Sequence, residues 1–325
     1  HDYLHTLFRM LFYVSLPLYV ILTIAIFAGG AGGNGSSPGG FTLIAFMAQF
    51  TASASYNITY APYVSDYSRY LPRYTRPRAI IAAVFFGAAG SAVWLIALGA
   101  WLATRLDATD ALVSLRDAGD SVFGGLGVVL ALSSVAALVA TMGINAYGAM
   151  LTTVTAIDAV KKVEPTRRLR VVTILALAVL WVVISLSISA GAVSVLFAAL
   201  IMMLYLLSPW TAVNLIDYFF VRHGRYAITE LFVADGLYGT WAWRGITAFL
   251  VGLAASVPFW VLPGIWTAPL GNVLQGIDVA WLVGLLVSGT TYYLLSRSLD
   301  VDAETSEVRA SEQKLEGDPT GAPSV

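Results

Sequence analysis

Along this chain, stretches of about twenty apolar residues alternate with short segments that hold charge, glycine or proline. The apolar runs fall at about 10–29, 41–63, 79–104, 122–157, 171–188, 190–207, 245–263 and 277–296. A hydrocarbon layer about 30 Å thick is crossed by roughly 20 residues of helix, so the pattern predicts about eight transmembrane helices and an all-α, polytopic membrane fold. The 122–157 run is too long for one perpendicular crossing and predicts either tilt or a helical extension toward Lys161-Lys162. Between 171–188 and 190–207, Ser189 with Ala190-Gly191 predicts a tight hairpin turn.

Composition agrees with this reading. Of 325 residues, 58% are hydrophobic and 11% charged, against about 25% charged in a soluble domain. A net charge of -1 gives no basic field for nucleic acid, and the absence of cysteine removes thiolate chemistry and disulfides. The chain starts at His1 with neither an initiator Met nor a signal peptide, and is read as a truncated chain.

Lys and Arg decide orientation, because cytoplasmic loops of membrane proteins are enriched in them. Arg69, Arg73, Arg76 and Arg78 follow the second run; Lys161, Lys162, Arg167, Arg168 and Arg170 follow the fourth; Arg222, Arg225 and Arg244 lie between the sixth and seventh. The alternate segments 29–40, 105–121 and 264–276 are glycine-rich, acidic or uncharged and should face outside. Both ends of the chain then come out cytoplasmic, in agreement with an even number of crossings. Segment 208–243 interleaves aromatic rings with charge and is expected at the cytoplasmic interface. The domain reading is a transmembrane part over 1–298 and a tail over 299–325, whose composition predicts disorder.

Polar residues inside hydrocarbon need a partner or a cavity, so they point to function. In the second run Gln49, Ser53, Tyr56, Asn57 and Tyr60 share one helical face, with Thr51, Ser55 and Thr59 off it. Pro62 predicts an interruption near the cytoplasmic end of this helix. In the fourth run Ser134, Thr141, Asn145, Gly148, Thr152 and Thr155 share a face, and Gly143 and Gly148 flank Asn145. For each Ser or Thr, packing between helices is the commoner role. An amide brings two donors and an acceptor that all need partners, so Asn57 and Asn145 are read as lining a cavity. The apolar cores hold no Lys, Arg or His, and acids such as Asp66 and Asp158 sit near span ends. This predicts an uncharged solute, and it leaves neither an intramembrane acid chain for a proton relay nor a voltage sensor. His1, His5 and His223 have no ligand or triad spacing, so neither a metal site nor an enzyme is expected.

Two stretches resemble a known family. Tyr60-Ala61-Pro62-Tyr63-Val64-Ser65-Asp66-Tyr67-Ser68-Arg69-Tyr70-Leu71-Pro72 is similar to the signature of purine-cytosine permeases in the nucleobase:cation symporter-1 family. Pro209-Trp210-Thr211-Ala212-Val213-Asn214-Leu215-Ile216-Asp217-Tyr218, with Gly224-Arg225-Tyr226 and Gly236-Leu237-Tyr238-Gly239, resembles the loop between that family's tenth and eleventh helices. The resemblance covers about residues 1–296. It implies a leucine-transporter-type fold of inverted repeats, with helices five to twelve present here and the first four absent. It implies a cation-coupled symporter that imports a nucleobase or related heterocycle by alternating access. On it, Ser55, Tyr56, Asn57, Asn145, Gln49 and Gly148 contact substrate, with Tyr56 stacking on the base, and Ala140 and Thr141 are the nearest candidates for a coupling cation, Na+ or H+. Asp66 and Arg69 are read as structural. No other cofactor is implied, and the partners are a small heterocycle and membrane lipid, with no oligomeric state indicated. The alternatives are a neutral amino-acid permease of the same fold and a non-transporting, truncated membrane protein.

Overall fold

The computed structural model describes residues 2–29, 40–68, 71–72, 74–106, 110–164, 166–187, 192–233, 236–301 and 303–317. Helices dominate: α1 (Asp2–Phe27), α2 (Leu43–Ser68), α3 (Pro77–Val84) running through a π-helical turn into α4 (Ser91–Leu106), α5 (Ala111–Val122), α6 (Leu126–Val160) and α7 (Arg167–Ser187). They continue with α8 (Ala192–Ile216) and its π-helical extension Asp217–Val221, α9 (Trp243–Ser256), a two-residue hairpin β1 (Val261–Leu262) and β2 (Trp266–Thr267), then α10 (Pro269–Val273), α11 (Ala280–Ser296) and α12 (Thr305–Gly317). Every apolar run read from the sequence overlaps one of these helices. Among the described residues, five helical stretches are long and apolar enough to cross a membrane, and Trp243–Phe259 and Ala280–Ser296 are shorter apolar helices. α2 is 26 residues long but carries the polar stripe.

The chain divides into two compact units, residues 1–40 with 74–190 and residues 41–73 with 191–325. The first is built on Leu22, Leu98, Leu102, Leu115, Ala118, Leu126 and Leu130, contributed by α1, α4, α5 and α6. Polar threads reinforce it. The Tyr19 hydroxyl lies 2.9 Å from Ser134 Oγ, and Trp94 Nε1 donates to Thr23 Oγ1 at 3.1 Å. α5 occupies the acidic segment expected to be a connecting loop. Asp110 caps it by accepting from the Leu112 and Val113 amides, and Leu115, Ala118 and Gly119 are buried on one face. α6 is one helix of 35 residues, about 52 Å long at 1.5 Å per residue, and so reaches Lys161 as an extension of the crossing.

The second unit centres on Ala198, Leu204, Tyr205, Leu262, Ala280 and Trp281. α9 and α11 pack through small residues: a Cβ added at Gly252 would stand 2.5 Å from Ser288 Cβ and 2.8 Å from the Gly284 carbonyl oxygen. Close approach of this kind is how membrane helices gain packing when lipid competes for every apolar surface. Pro209 lies inside α8, its ring packs toward Gly284, and its carbonyl accepts from Ser288 Oγ at 3.0 Å.

Three expectations are corrected here. α2 continues through Pro62 to Ser68 instead of breaking, because proline removes one backbone donor and leaves the neighbouring turns intact. α8 with its extension runs to Val221, well past the predicted end at 207, so the loop begins at Arg222. The tail predicted to be disordered holds α12, with Val308 and Ser311 buried; tertiary contacts supply what its own composition lacks. The expected Ser189 turn, most of 29–40, Arg69 and residues 318–325 lie outside the described residues, as does the Asp66 side chain.

Candidate functional site

The polar residues of α2 do not all share one environment. Thr51 and Ser55, spaced i, i+4, are buried at 3% and 5% exposure and tie α2 to its neighbours. Thr51 Oγ1 donates to the Asp278 carbonyl at 3.3 Å, and Ser55 Oγ donates to the Leu200 carbonyl of α8 at 3.0 Å. The face read from the sequence through Gln49, Ser53, Tyr56, Asn57 and Tyr60 is centred nearly half a turn away around the helix and is more open. Tyr56 stacks on Tyr60 with ring centroids 6.0 Å apart and planes within 1°, and Tyr60 continues the stack to Tyr63. Asn57 Nδ2 donates to the Ser53 carbonyl at 2.8 Å.

Beside this wall lies a cavity of about 650 Å³, within the range of about 300–1,000 Å³ typical of small-molecule sites. Gln49, Thr51, Ser55, Tyr56 and Thr59 line its α2 side. Leu200 and Ile201 of α8 and Asp278 line it as well. The structure thus brings Gln49, Ser55 and Tyr56 to one cavity within the second unit. Asn57 is not among the cavity's lining residues.

Asn145, Gly148, Ala140 and Thr141 belong to α6 in the first unit. Asn145 and Thr141 are exposed, Gly148 is half-buried and Ala140 is buried at 3% exposure. Thr141 Oγ1 donates back to the Ala137 carbonyl of its own helix at 2.9 Å. Among the described residues, no group of three His, Cys, Asp or Glu side chains forms a metal cluster.

Two features were missed in the sequence. The first is Asp278, 6% exposed, whose Oδ2 accepts from the Tyr205 hydroxyl at 2.9 Å and whose Oδ1 accepts from the Ala280 amide at 3.0 Å. Its signal was an acid at the start of the last apolar run. The second is an ionic network around Arg222, the first residue after the α8 extension. Arg222 Nε and Nη2 donate to the two oxygens of Glu304 at 3.0 and 3.1 Å, and Nη1 donates to Asp217 Oδ1 at 2.6 Å. Tyr226 and Tyr292 hydroxyls donate to Asp217 at 2.8 and 2.7 Å. The Arg222 guanidinium also lies over the Tyr238 ring at 5.2 Å from its centroid. Burial works against this charge, but Glu304 and Asp217 outweigh it and hold the guanidinium above its ordinary range. The segment resembling the family's loop therefore folds around one arginine. Gly224, at φ 75°, makes the turn that returns Tyr226 to Asp217, and a Cβ there would press on the Tyr218 ring at 3.1 Å.

Comparison with known proteins gives this arrangement its context. No solved structure matches the chain. The Bacillus subtilis (strain 168) protein YxlA, which carries the name of a purine-cytosine permease, is 31% identical over 297 residues, covering 91% of this chain and 64% of the relative. The chain thus spans about two thirds of the length of the relative it matches. The profile of a family described as "Permease for cytosine/purines, uracil, thiamine, allantoin" matches residues 3–284. The chain, a polytopic all-α membrane protein, belongs to that permease family and not to an enzyme family.

Proposed function

We propose that this chain is part of a secondary active transporter that imports a nucleobase or a related heterocycle by alternating access. The observation that carries the reading is the cavity beside α2, where a 26-residue helix in an apolar protein turns Gln49, Thr51, Ser55, Tyr56 and Thr59 toward a space of about 650 Å³. A planar heterocycle needs an aromatic surface and edge-directed hydrogen bonds. The Tyr56 ring is the first, worth about 1–3 kcal/mol per stacked base, and the Gln49 amide supplies a donor and an acceptor for the second. Among the described residues, no Lys, Arg or His lines the cavity, so it offers no side-chain cation to an anionic solute.

Asn145 and Gly148 of α6 are carried in this proposal as substrate contacts and Ala140 with Thr141 as candidates for a coupling cation, as the resemblance to a leucine-transporter-type fold of inverted repeats implies. The loops bearing Arg76, Arg78, Lys161, Lys162, Arg222 and Arg225 face the cytoplasm. The relative's printed name, a purine-cytosine permease, points to the same solute class.

The test is uptake of radiolabelled cytosine, with adenine, uracil, allantoin and hydantoin as competitors, by transport-deficient cells expressing the gene. Saturable uptake that falls in Tyr56→Ala and Asn145→Ala is expected. Absence of uptake of every heterocycle by a well-expressed protein would overturn the reading, and neutral amino acids would then be the solutes to try.

A further inference from the structure

Asp278 lines the cavity, is 6% exposed and faces no cation: among the described residues the three ion pairs involve Asp120, Asp217 and Glu304. A buried carboxylate without a counter-charge is costly unless hydrogen bonds hold it or a proton neutralises it. The side chains and backbone around it accommodate both states. The Tyr205 hydroxyl, itself fully buried, has one proton and two acceptors in reach, Asp278 Oδ2 at 2.9 Å and the Val261 carbonyl at 3.0 Å. Its oxygen already accepts from the Val261 amide at 2.9 Å and has a second lone pair.

When Asp278 is ionised, Tyr205 donates to it. When Asp278 takes up a proton, its new O–H donates to the Tyr205 oxygen and the tyrosine proton turns to the Val261 carbonyl. Both protonation states are thus paired with no movement of heavy atoms. Tyr205 on α8 is the titratable group bonded to the acid; the uncharged Thr51 of α2 bonds its main-chain carbonyl, the Ala280 amide at the start of α11 bonds its carboxylate, and Val261 of the hairpin bonds Tyr205.

The same residue is joined to the cavity wall. Thr51 holds the Asp278 carbonyl, and one turn along α2 Ser55 holds Leu200, beside Tyr56. A change at Asp278 thus bears directly on the helix that carries Tyr56.

We propose that Asp278 is the site that binds the proton coupled to solute movement, with Tyr205 as its hydrogen-bond switch. This rests on the transport reading above and names the coupling ion for it.

The test uses the protein expressed from its gene, purified and reconstituted in vesicles, as wild type, Asp278→Asn and Tyr205→Phe. The asparagine keeps an acceptor for the Ala280 amide but takes no proton. Infrared difference spectra between acid and alkaline pH are expected to show a protonated-carboxyl band that Asp278→Asn lacks, a readout independent of transport. Asp278→Asn should exchange labelled cytosine across vesicles without a gradient but lose accumulation driven by an inward proton gradient. Tyr205→Phe removes a donor to the carboxylate, so its pH profile should shift to higher pH. Proton-driven accumulation retained in Asp278→Asn, or wild-type accumulation that needs sodium and ignores the proton gradient, overturns the proposal. If the infrared band is lost in Asp278→Asn while the wild type moves no heterocycle, protonation at Asp278 stands and the nucleobase reading fails.

Discussion

Arg222 grips Glu304 through two parallel hydrogen bonds of 3.0 and 3.1 Å, with both side chains about nine-tenths buried. The pair spans 82 positions of sequence and joins the end of the long α8 helix to the residue that precedes α12. Planar guanidinium and carboxylate groups meet in this fork geometry with more directionality than a lysine would give.

Glu304→Ala should therefore release α12. Removing one partner of a buried pair costs about 3–5 kcal/mol, because the other charge is left uncompensated; here Asp217 softens that loss by keeping Arg222 Nη1 paired. The cost falls on docking of the C-terminal helix. Trypsin should cut the exposed Arg309 and Lys314 on α12 sooner in the variant than in the wild type. Equal cleavage rates would show that the pair does not hold the helix.

Alkaline pH should loosen the same network. Burial first, then the hydrogen bond to Asp217, raises the Tyr226 phenol above its ordinary 10.0. The phenol therefore stays protonated longer in the folded protein than in the unfolded chain. Its contribution is complete below pH 10.0 and is lost as pH rises toward the folded value. Tyr226→Phe should show a shallower alkaline loss of protease resistance, from a start lowered by about 1.5–3 kcal/mol for a bond to a charged acceptor.

At Gly252 the packing leaves no room for a side chain. Gly252→Ala sets a methyl 2.5 Å from Ser288 Cβ and 2.8 Å from the Gly284 carbonyl oxygen, which is main chain and yields little. Overpacking of this kind costs about 1–3 kcal/mol, and the melting temperature in detergent should fall. Gly239→Ala, with open space around its Cβ position, tests a different cost. Its φ of 64° makes any loss there a matter of backbone strain.

Ser55 and Tyr56 should separate packing from recognition. Ser55→Ala deletes the bond to Leu200 and leaves that α8 carbonyl one partner poorer, so its effect should appear as lower thermal stability, about 0.5–1.5 kcal/mol. Tyr56→Ala should leave stability closer to wild type and weaken heterocycle affinity by the stacking contribution, about 1–3 kcal/mol or roughly 5- to 150-fold. Ligand-dependent thermal shifts measured on both variants distinguish the two.

The hydrophobic period determined the elements. A run of about twenty apolar residues in lipid must close its own backbone hydrogen bonds, and helix is how a single segment does so, so the eight runs and the helices they overlap were legible without coordinates. The family signatures were equally local, since they are strings of side chains in fixed order. Tertiary structure alone decided which polar face of α2 is buried: Thr51 and Ser55 turn toward Asp278 and α8 because those partners, 227 and 145 positions away, offer carbonyl acceptors. It likewise decided that Asp278 and Tyr205 meet, and that α12 is ordered. Each depends on a contact between residues far apart in the chain, and a one-dimensional pattern records each residue's own polarity but not the partner that satisfies it.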